Sequence, residues 1–348
     1  MSFWNGKKVF VTGHTGFKGS WLSLWLSELG AEVCGYALAP DTEPALFDDL
    51  KLANHVESII ADVRDLNSLE AAIANFKPEI VFHLAAQPLV RRSYNEPVET
   101  FETNVMGTVN VLEAMRKTGC VKAGVMITTD KVYENLEQEE GYKEGDRLGG
   151  YDPYSNSKAC AELVISSYRD SFFRGTETLV ASARAGNVIG GGDWSEDRLI
   201  PDVFRSLIFG NNLLIRNPNS VRPWQHVLEP LQGYMLLAEK LYAGDEDYAR
   251  AWNFGPEEKS LKSVANVLET IKALWGEPVH WKISNGEHPH ETALLALDSR
   301  RAEDCLNWKS RWDFESSLYR TASWYKEYFS KADMRKVTLD QINDFDSQ

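Results

Sequence analysis

The sequence predicts an α/β protein: a doubly wound parallel sheet followed by a smaller C-terminal α/β lobe. Three observations carry that prediction. Short apolar or β-branched runs alternate with helical patterns through the first half, the sequence form of stacked βαβ units. The spacing Gly13-x-x-Gly16-x-x-Gly19 follows the first of those runs directly and opens a helix. The chain has 348 residues, more than one domain of roughly 150 residues requires.

In order, Lys8–Thr12, Glu32–Leu38, Glu57–Ala61, Ile80–Leu84 and Gly124–Thr128 read as strands, with room for a helix between each pair. The unbroken apolar run Ile80-Val81-Phe82 suits a strand covered on both faces. Ser20 to Gly30 is too short to cross a bilayer and ends on a glycine suited to a helix C-cap, so it predicts a core-packed helix. A long helical pattern then covers Ser155–Phe173, a strand Glu177–Arg184, and a glycine-rich loop Gly190–Gly192. Beyond residue 190, prolines punctuate shorter elements. The expected organisation is a first domain over 1–186, a lobe over 187–330 with some segments returning to the sheet, and a polar, peripheral extension over 331–348.

Composition narrows the function classes. Lys plus Arg number 37 and Asp plus Glu 51, a net charge of −14 with no basic run to offset it. That excludes a general nucleic-acid or anionic-membrane binder. With 43% hydrophobic and 25% charged residues, the chain is an ordinary globular one. Cys34, Cys120, Cys160 and Cys305 are scattered, with no C-x-x-C pair, so neither a disulfide framework nor zinc is expected and a reducing cytoplasm fits. The N-terminus has no apolar signal-peptide core. No metal is expected either, since His288 and His290 are two apart with no third ligand at matching spacing.

The glycine stretch, with Thr15 and Phe17 between its glycines, places unpaired N–H groups and a helix N-terminus where a pyrophosphate binds. It points to a Rossmann-type dinucleotide site. The acid that usually ends the second strand is missing from Tyr36-Ala37-Leu38, although Asp41 and Glu43 lie just beyond. No Lys or Arg occurs between Lys18 and Lys51 to receive a 2′-phosphate, which favours NAD over NADP. Tyr154 and Lys158, four apart on a predicted helix, share one face. A nearby ammonium stabilises a phenolate, which could then take a proton from a sugar hydroxyl. In isolation such a pair is far more often a chance match on a solvated helix.

It does not stand in isolation. TGHTGFKG (12–19), DVRD (62–65), HLAAQ (83–87), TNVMGTVNVLEA (103–114), TTDKVY (128–133), YSNSK (154–158), ARAGNVIGGGDW (183–194) and RPWQHV (222–227) together resemble the extended short-chain dehydrogenase/reductase family, nucleotide-sugar branch. Within it, the resemblance is to 4,6-dehydratases, most of all those acting on CDP-glucose. It implies NAD as cofactor and a redox-neutral cycle: C4 oxidation, loss of water across C5–C6, and reduction at C6, a step toward deoxyhexoses of bacterial surface polysaccharide (O-antigen). Tyr154 would be the base at the 4-hydroxyl, aligned by Thr129, and Asp130 the acid toward the leaving 6-hydroxyl, with a helix or turn cap as the alternative for that aspartate. Lys131 stands where relatives carry the glutamate taken as the C5 base, so that base stays open. For the cofactor, Asp62 and Val63 would meet the adenine, although Asp62 could instead cap a helix and Asp65 suits that cap better. Leu84, Ala85, Ala86 and Asn104 would follow along the cofactor, Asn104 with an equally plausible structural role. For the nucleotide sugar, the resemblance implies Gln87, Asn187, Arg198, Leu199, Pro201, Arg216, Arg222 and His290, with Glu291 beside it. It also implies a homodimer or homotetramer paired through Phe101–Lys117 and Ser155–Phe173. A dTDP-glucose or GDP-mannose 4,6-dehydratase, a 4-epimerase, an NADPH-dependent 4-reductase and a catalytically idle NAD-binding scaffold remain as alternatives.

Overall fold

The computed structural model describes residues 2–138, 140–211, 213–284 and 295–348. Its centre is a seven-stranded sheet in which every pairing is parallel. Strands β1 (Lys8–Thr12), β2 (Glu32–Ala37), β3 (Glu57–Ile60), β4 (Ile80–His83), β5 (Ala123–Ile127) and β6 (Leu179–Arg184) lie within one or two residues of the predicted runs. In space the order is β6-β5-β4-β1-β2-β3, with the late strand Ala251–Asn253 added beside β6. The chain therefore reverses direction across the sheet between β1 and β4, the switch point at which open α/β sheets take ligands.

Burial explains why these segments are strands. All residues of β4, β5 and β6 are buried, so their apolar runs face helices on both sides. The Phe17–Glu28 helix is buried from Gly19 to Leu26 and places Trp21 and Trp25 in the core. Asp65 caps the Leu66–Phe76 helix by accepting the Ser68 N–H, whereas Asp62 caps nothing and pairs with Arg64 at 2.6 Å. The helix predicted over Ser155–Phe173 is Pro153–Tyr168, started by Asp152 accepting the Ser155 N–H, and it ends in a wider π-turn over Arg169–Phe173. No helix among the described residues is long and apolar enough to cross a membrane.

The C-terminal stretch departs from expectation. Residues 331–348, read as a peripheral polar extension, contain the helix Met334–Asp346, which packs on the Phe314–Phe329 helix and on the Phe17–Glu28 helix of the first half. Its few apolar residues fall on one face: Met334, Ile342 and Phe345 are all buried. Phe345 meets the rings of Trp25 and Trp312 edge-on at 5.7 and 5.0 Å. Full burial of such side chains contributes about 1.5–3 kcal/mol each. Deleting residues 334–348 is expected to lower the thermal midpoint by about 5 °C or more, read by differential scanning fluorimetry; an unchanged midpoint refutes this packing role.

Candidate active site

At the end of β1 the chain turns into the glycine loop under tight steric limits. Gly13 has φ +76, and a Cβ there would lie 2.7 Å from the Ala85 nitrogen; at Gly19 it would lie 2.0 Å from the Gly13 oxygen. These two glycines are demanded by the fold itself. Gly16 is different: it is exposed, its φ is −81, and a Cβ would come no nearer than 3.5 Å to any atom. It also begins the first helix without any side-chain cap, leaving the helix N–H groups to a ligand. An open glycine before an uncapped helix fits a dinucleotide pyrophosphate. Thr15 holds the loop in place by donating to the Leu38 carbonyl at 2.9 Å, at the end of β2.

Across the switch point, Leu84 N–H donates to the Thr12 carbonyl and Ala85 N–H to Thr12 Oγ1 at 3.2 Å. Ala86 follows with partial exposure. His83 continues this chain: Nδ1 lies 2.8 Å from Thr12 Oγ1 and Nε2 3.2 Å from Thr108 Oγ1. The Thr108 hydroxyl proton is committed to the Asn104 carbonyl at 2.7 Å. Nε2 must therefore donate, and Nδ1 accepts from Thr12. Burial pushes the imidazole down to about 3, with Lys158 adding to the effect, so this neutral tautomer persists.

Two residues expected at ligands are turned inward. Asn104, fully buried in the π-turn Glu102–Met106, accepts the Gln87 N–H at 2.9 Å and donates to the Gln87 carbonyl and to Ser157 Oγ. Gln87 spends its side-chain amide on Leu89 and Thr100. With both N–H donors of each amide satisfied by protein, these residues position the loop after β4 against the Tyr154 helix and do not line the cavity. Asp62 sits beyond the end of β3, its carboxylate held below the usual range by Arg64, and Val63 is buried against Gly107.

The remaining residues converge on a cavity of about 340 Å³. Phe17, Thr129, Asp130, Lys131, Tyr154, Asn187, Arg198, Leu199, Pro201, Arg216 and Arg222 all line it. The segment after β5 delivers the catalytic candidates: Thr129 Oγ1 donates to Asp130 Oδ1 at 2.9 Å, while Oδ2 is buried with no partner. Gly186 makes room for that carboxyl, because a Cβ there would lie 1.8 Å from Oδ2. Asn187, at φ +45, occupies the left-handed region, a strained position of the sort that gathers at functional sites. Burial pushes the Tyr154 phenol up to about 12, opposed by the hydrogen bond shared with Thr129 and by the charge of Arg198. Lys158 lies behind the wall, its ammonium donating to the Ile127 carbonyl at 3.2 Å and pulled down to about 8 by burial. His290 lies outside the described residues.

Lys18 and Asp193 also line the cavity and were not singled out from the sequence. Asp193 pairs with Arg198 at 3.1 Å. Burial, helped by Arg198, pulls Lys18 down to about 8. The signal for Lys18 was present: a lysine in the first turn of a helix opposes the helix dipole, which is costly unless an anion is close. Asp41, just past the missing acid of β2, acts electrostatically on Arg198.

A dinucleotide-type loop, a Tyr/Lys pair on one helix and a polar cavity over the carboxyl edge define a short-chain dehydrogenase/reductase of the extended, nucleotide-sugar type. The sequence profile of the GDP-mannose 4,6 dehydratase family matches residues 10–321, so the chain belongs to that family. A CDP-glucose 4,6-dehydratase of Salmonella typhimurium is 51% identical over 99% of this chain and 97% of its own length. Among solved structures, MoeE5 in complex with UDP-glucose and NAD matches with a TM-score of 0.78 at 25% identity, covering 92% of this chain and 99% of that one. A dTDP-glucose 4,6-dehydratase from Bacillus anthracis in complex with NAD gives the same TM-score, 0.78, at 21% identity, covering 95% and 100%.

Because the fold leaves Gly16 open, Gly16→Ala is expected to preserve the melting temperature without ligand and weaken NAD binding at least about tenfold, roughly 1.4 kcal/mol. Isothermal titration calorimetry reads this, and unchanged affinity would show that no ligand approaches there.

Proposed function

We propose that this chain catalyses the NAD-dependent, redox-neutral conversion of CDP-D-glucose to CDP-4-keto-6-deoxy-D-glucose. The observation that carries the reading is the Asp130 carboxyl, which lines the Tyr154 cavity beside Thr129 and keeps one buried oxygen without a partner. A 4-epimerase or 4-reductase has no use for an acid at that place, whereas loss of a 6-hydroxyl requires one. The CDP-glucose assignment is supported by the 51% identity over almost the full lengths of both chains.

The residues divide the chemistry as follows. Tyr154 takes the proton of the 4-hydroxyl, with Thr129 holding the oxygen in line, Arg198 supplying positive field to the phenolate, and Lys158, one turn further along the helix, adding to it. NAD, held by the Gly13–Gly19 loop with Thr15, Phe17 and the Leu84–Ala86 edge, supplies the hydride acceptor at C4 and the donor at C6. The 4-ketone acidifies C5–H; Asp130 protonates the departing 6-hydroxyl, which leaves as water. Lys131, on the same turn, takes the C5 proton or orients the water that does, and a proton returns to C5 as C6 is reduced. Arg216 and Arg222 hold the diphosphate, Asn187 its neighbouring phosphate oxygen, and Leu199 and Pro201 cover the base. The product feeds reactions that build deoxyhexoses of surface polysaccharide, and the enzyme works in the cytoplasm.

A second copy of the chain fits the outer face of the helices. Val98, Met106, Leu163 and Phe172 are 68%, 50%, 62% and 48% exposed there, apolar side chains contributed by the Pro97–Met106 segment and by the Tyr154 helix with the π-turn that ends it. The NAD half comprises residues 1–186, joined by the strand Ala251–Asn253 from the lobe.

Incubation with NAD and CDP-, dTDP-, GDP- or UDP-hexoses in deuterated water is expected to give a 4-keto-6-deoxy product from CDP-glucose, with deuterium at C5 and no net NADH. An epimer with its C6 hydroxyl intact, or turnover of dTDP-glucose alone, overturns the proposal. Asp130→Asn is expected to slow elimination by about 10²–10⁴-fold while C4 oxidation continues, so that NADH absorbance accumulates. Lys131→Ala at wild-type elimination rate would remove that lysine from the mechanism.

A further inference from the structure

Beneath the cavity lies a buried charge cluster to which the proposed chemistry gives no part. Glu162 follows Lys158 by one turn on the same helix and is 4% exposed. Its carboxylate accepts four hydrogen bonds: Thr128 Oγ1 at 2.5 Å and Arg184 Nε at 2.9 Å on Oε1, Ser182 Oγ at 2.7 Å and Arg184 Nη2 at 2.8 Å on Oε2. Arg184 in turn donates to Tyr133 Oη at 2.7 Å, and Tyr133 to Asn253 Oδ1 at 2.7 Å. Asn253 lies on the added strand and donates to the carbonyls of Tyr142 and Asp298.

A buried ion pair is a poor source of stability, because desolvation offsets most of its attraction. Its placement here is informative. Thr128 and Tyr133 flank the Thr129–Val132 turn, so one carboxylate and its arginine clamp both ends of the turn carrying Thr129, Asp130 and Lys131 onto the helix carrying Tyr154 and Lys158. The same carboxylate is the charge acting on Lys158 to keep it protonated, against burial. The other charged or titratable groups around that ammonium are Lys18 from the first helix and His83 from β4, with Tyr154 and Asp130 at the cavity. Lys18 repels it and His83 is neutral.

We propose that Glu162 is a positioning residue for the dehydration: through Arg184 it sets the Thr129–Lys131 turn against the Tyr154 helix, and its charge holds Lys158 in the ammonium form. The inference rests on the dehydratase reading of the site.

The test isolates C4 oxidation by using CDP-6-deoxyglucose, which has no leaving hydroxyl, and follows NADH formation in single turnovers against pH. Lys158 must be charged to assist Tyr154, so removing the Glu162 charge makes it lose its proton at lower pH. Glu162→Gln is expected to move the basic limb of the profile down by about one pH unit with little change in KM. The double variant Glu162→Gln/Arg184→Met, in which Arg184 is not left without its carboxylate, is expected to shift the limb in the same direction. Glu162→Asp, retaining the charge, is expected to restore the limb at a reduced rate. Should the single glutamine variant fail to fold, the double and aspartate variants read the same quantity. A lower rate or melting temperature with an unmoved limb overturns the inference alone; no NADH from the wild type overturns the dehydratase reading and the inference with it.

Discussion

The site depends on one close approach, that of Gly13 to the Leu84–Ala85 backbone across the switch between β1 and β4. Parallel pairing of β1 with β2 and β4 aligns their carboxyl ends. Only a residue without Cβ lets the loop after β1 lie against the loop after β4, at 2.7 Å from the Ala85 nitrogen for the atom that is missing. From that contact the geometry propagates in two directions: through Gly16 to the open helix N-terminus, and through Thr12 and His83 to Thr108 and Asn104. The second path is a directed hydrogen-bond chain with one tautomer, and it ends on Ser157, between Tyr154 and Lys158 in sequence. The cofactor loop and the catalytic helix are thereby fixed in one frame.

Most polar groups behind the cavity are saturated by protein, and this separates support from chemistry. Asn104, Gln87, His83 and Glu162 each have their hydrogen-bonding capacity committed, which rigidifies the wall. Asp130 does not: one oxygen is left without a partner in a buried place. Such a group is costly unless a ligand completes it.

Much of this was legible in the sequence, because the strands are buried on both faces and the motifs are local. β1 to β6 could be placed from apolar runs, and Asp65 was correctly preferred to Asp62 as the helix cap, since capping depends only on neighbours in sequence. What failed depends on tertiary direction. Gln87 lies in a motif beside ligand residues, and polarity alone cannot say that it faces inward, whereas Asn104 takes the structural role weighed for it. The Met334–Asp346 helix is polar on average, and its three core residues are visible only once Trp25 and Trp312 are in place to receive them. Lys18 was passed over because glycines define its motif, although its conflict with the helix dipole marked it.

The net charge of −14 acquires a different meaning at the cavity. Among the described residues, its lining contains six basic side chains, Lys18, Arg91, Lys131, Arg198, Arg216 and Arg222, against five acidic ones, all aspartates. Three of those aspartates are already engaged: Asp193 by Arg198, Asp197 by Arg91 and Asp202 by Arg205. The acidic surplus therefore lies mostly outside the described lining. A diphosphate thus meets a lining with six basic side chains against five acidic ones among the described residues, where the whole sequence has 37 against 51.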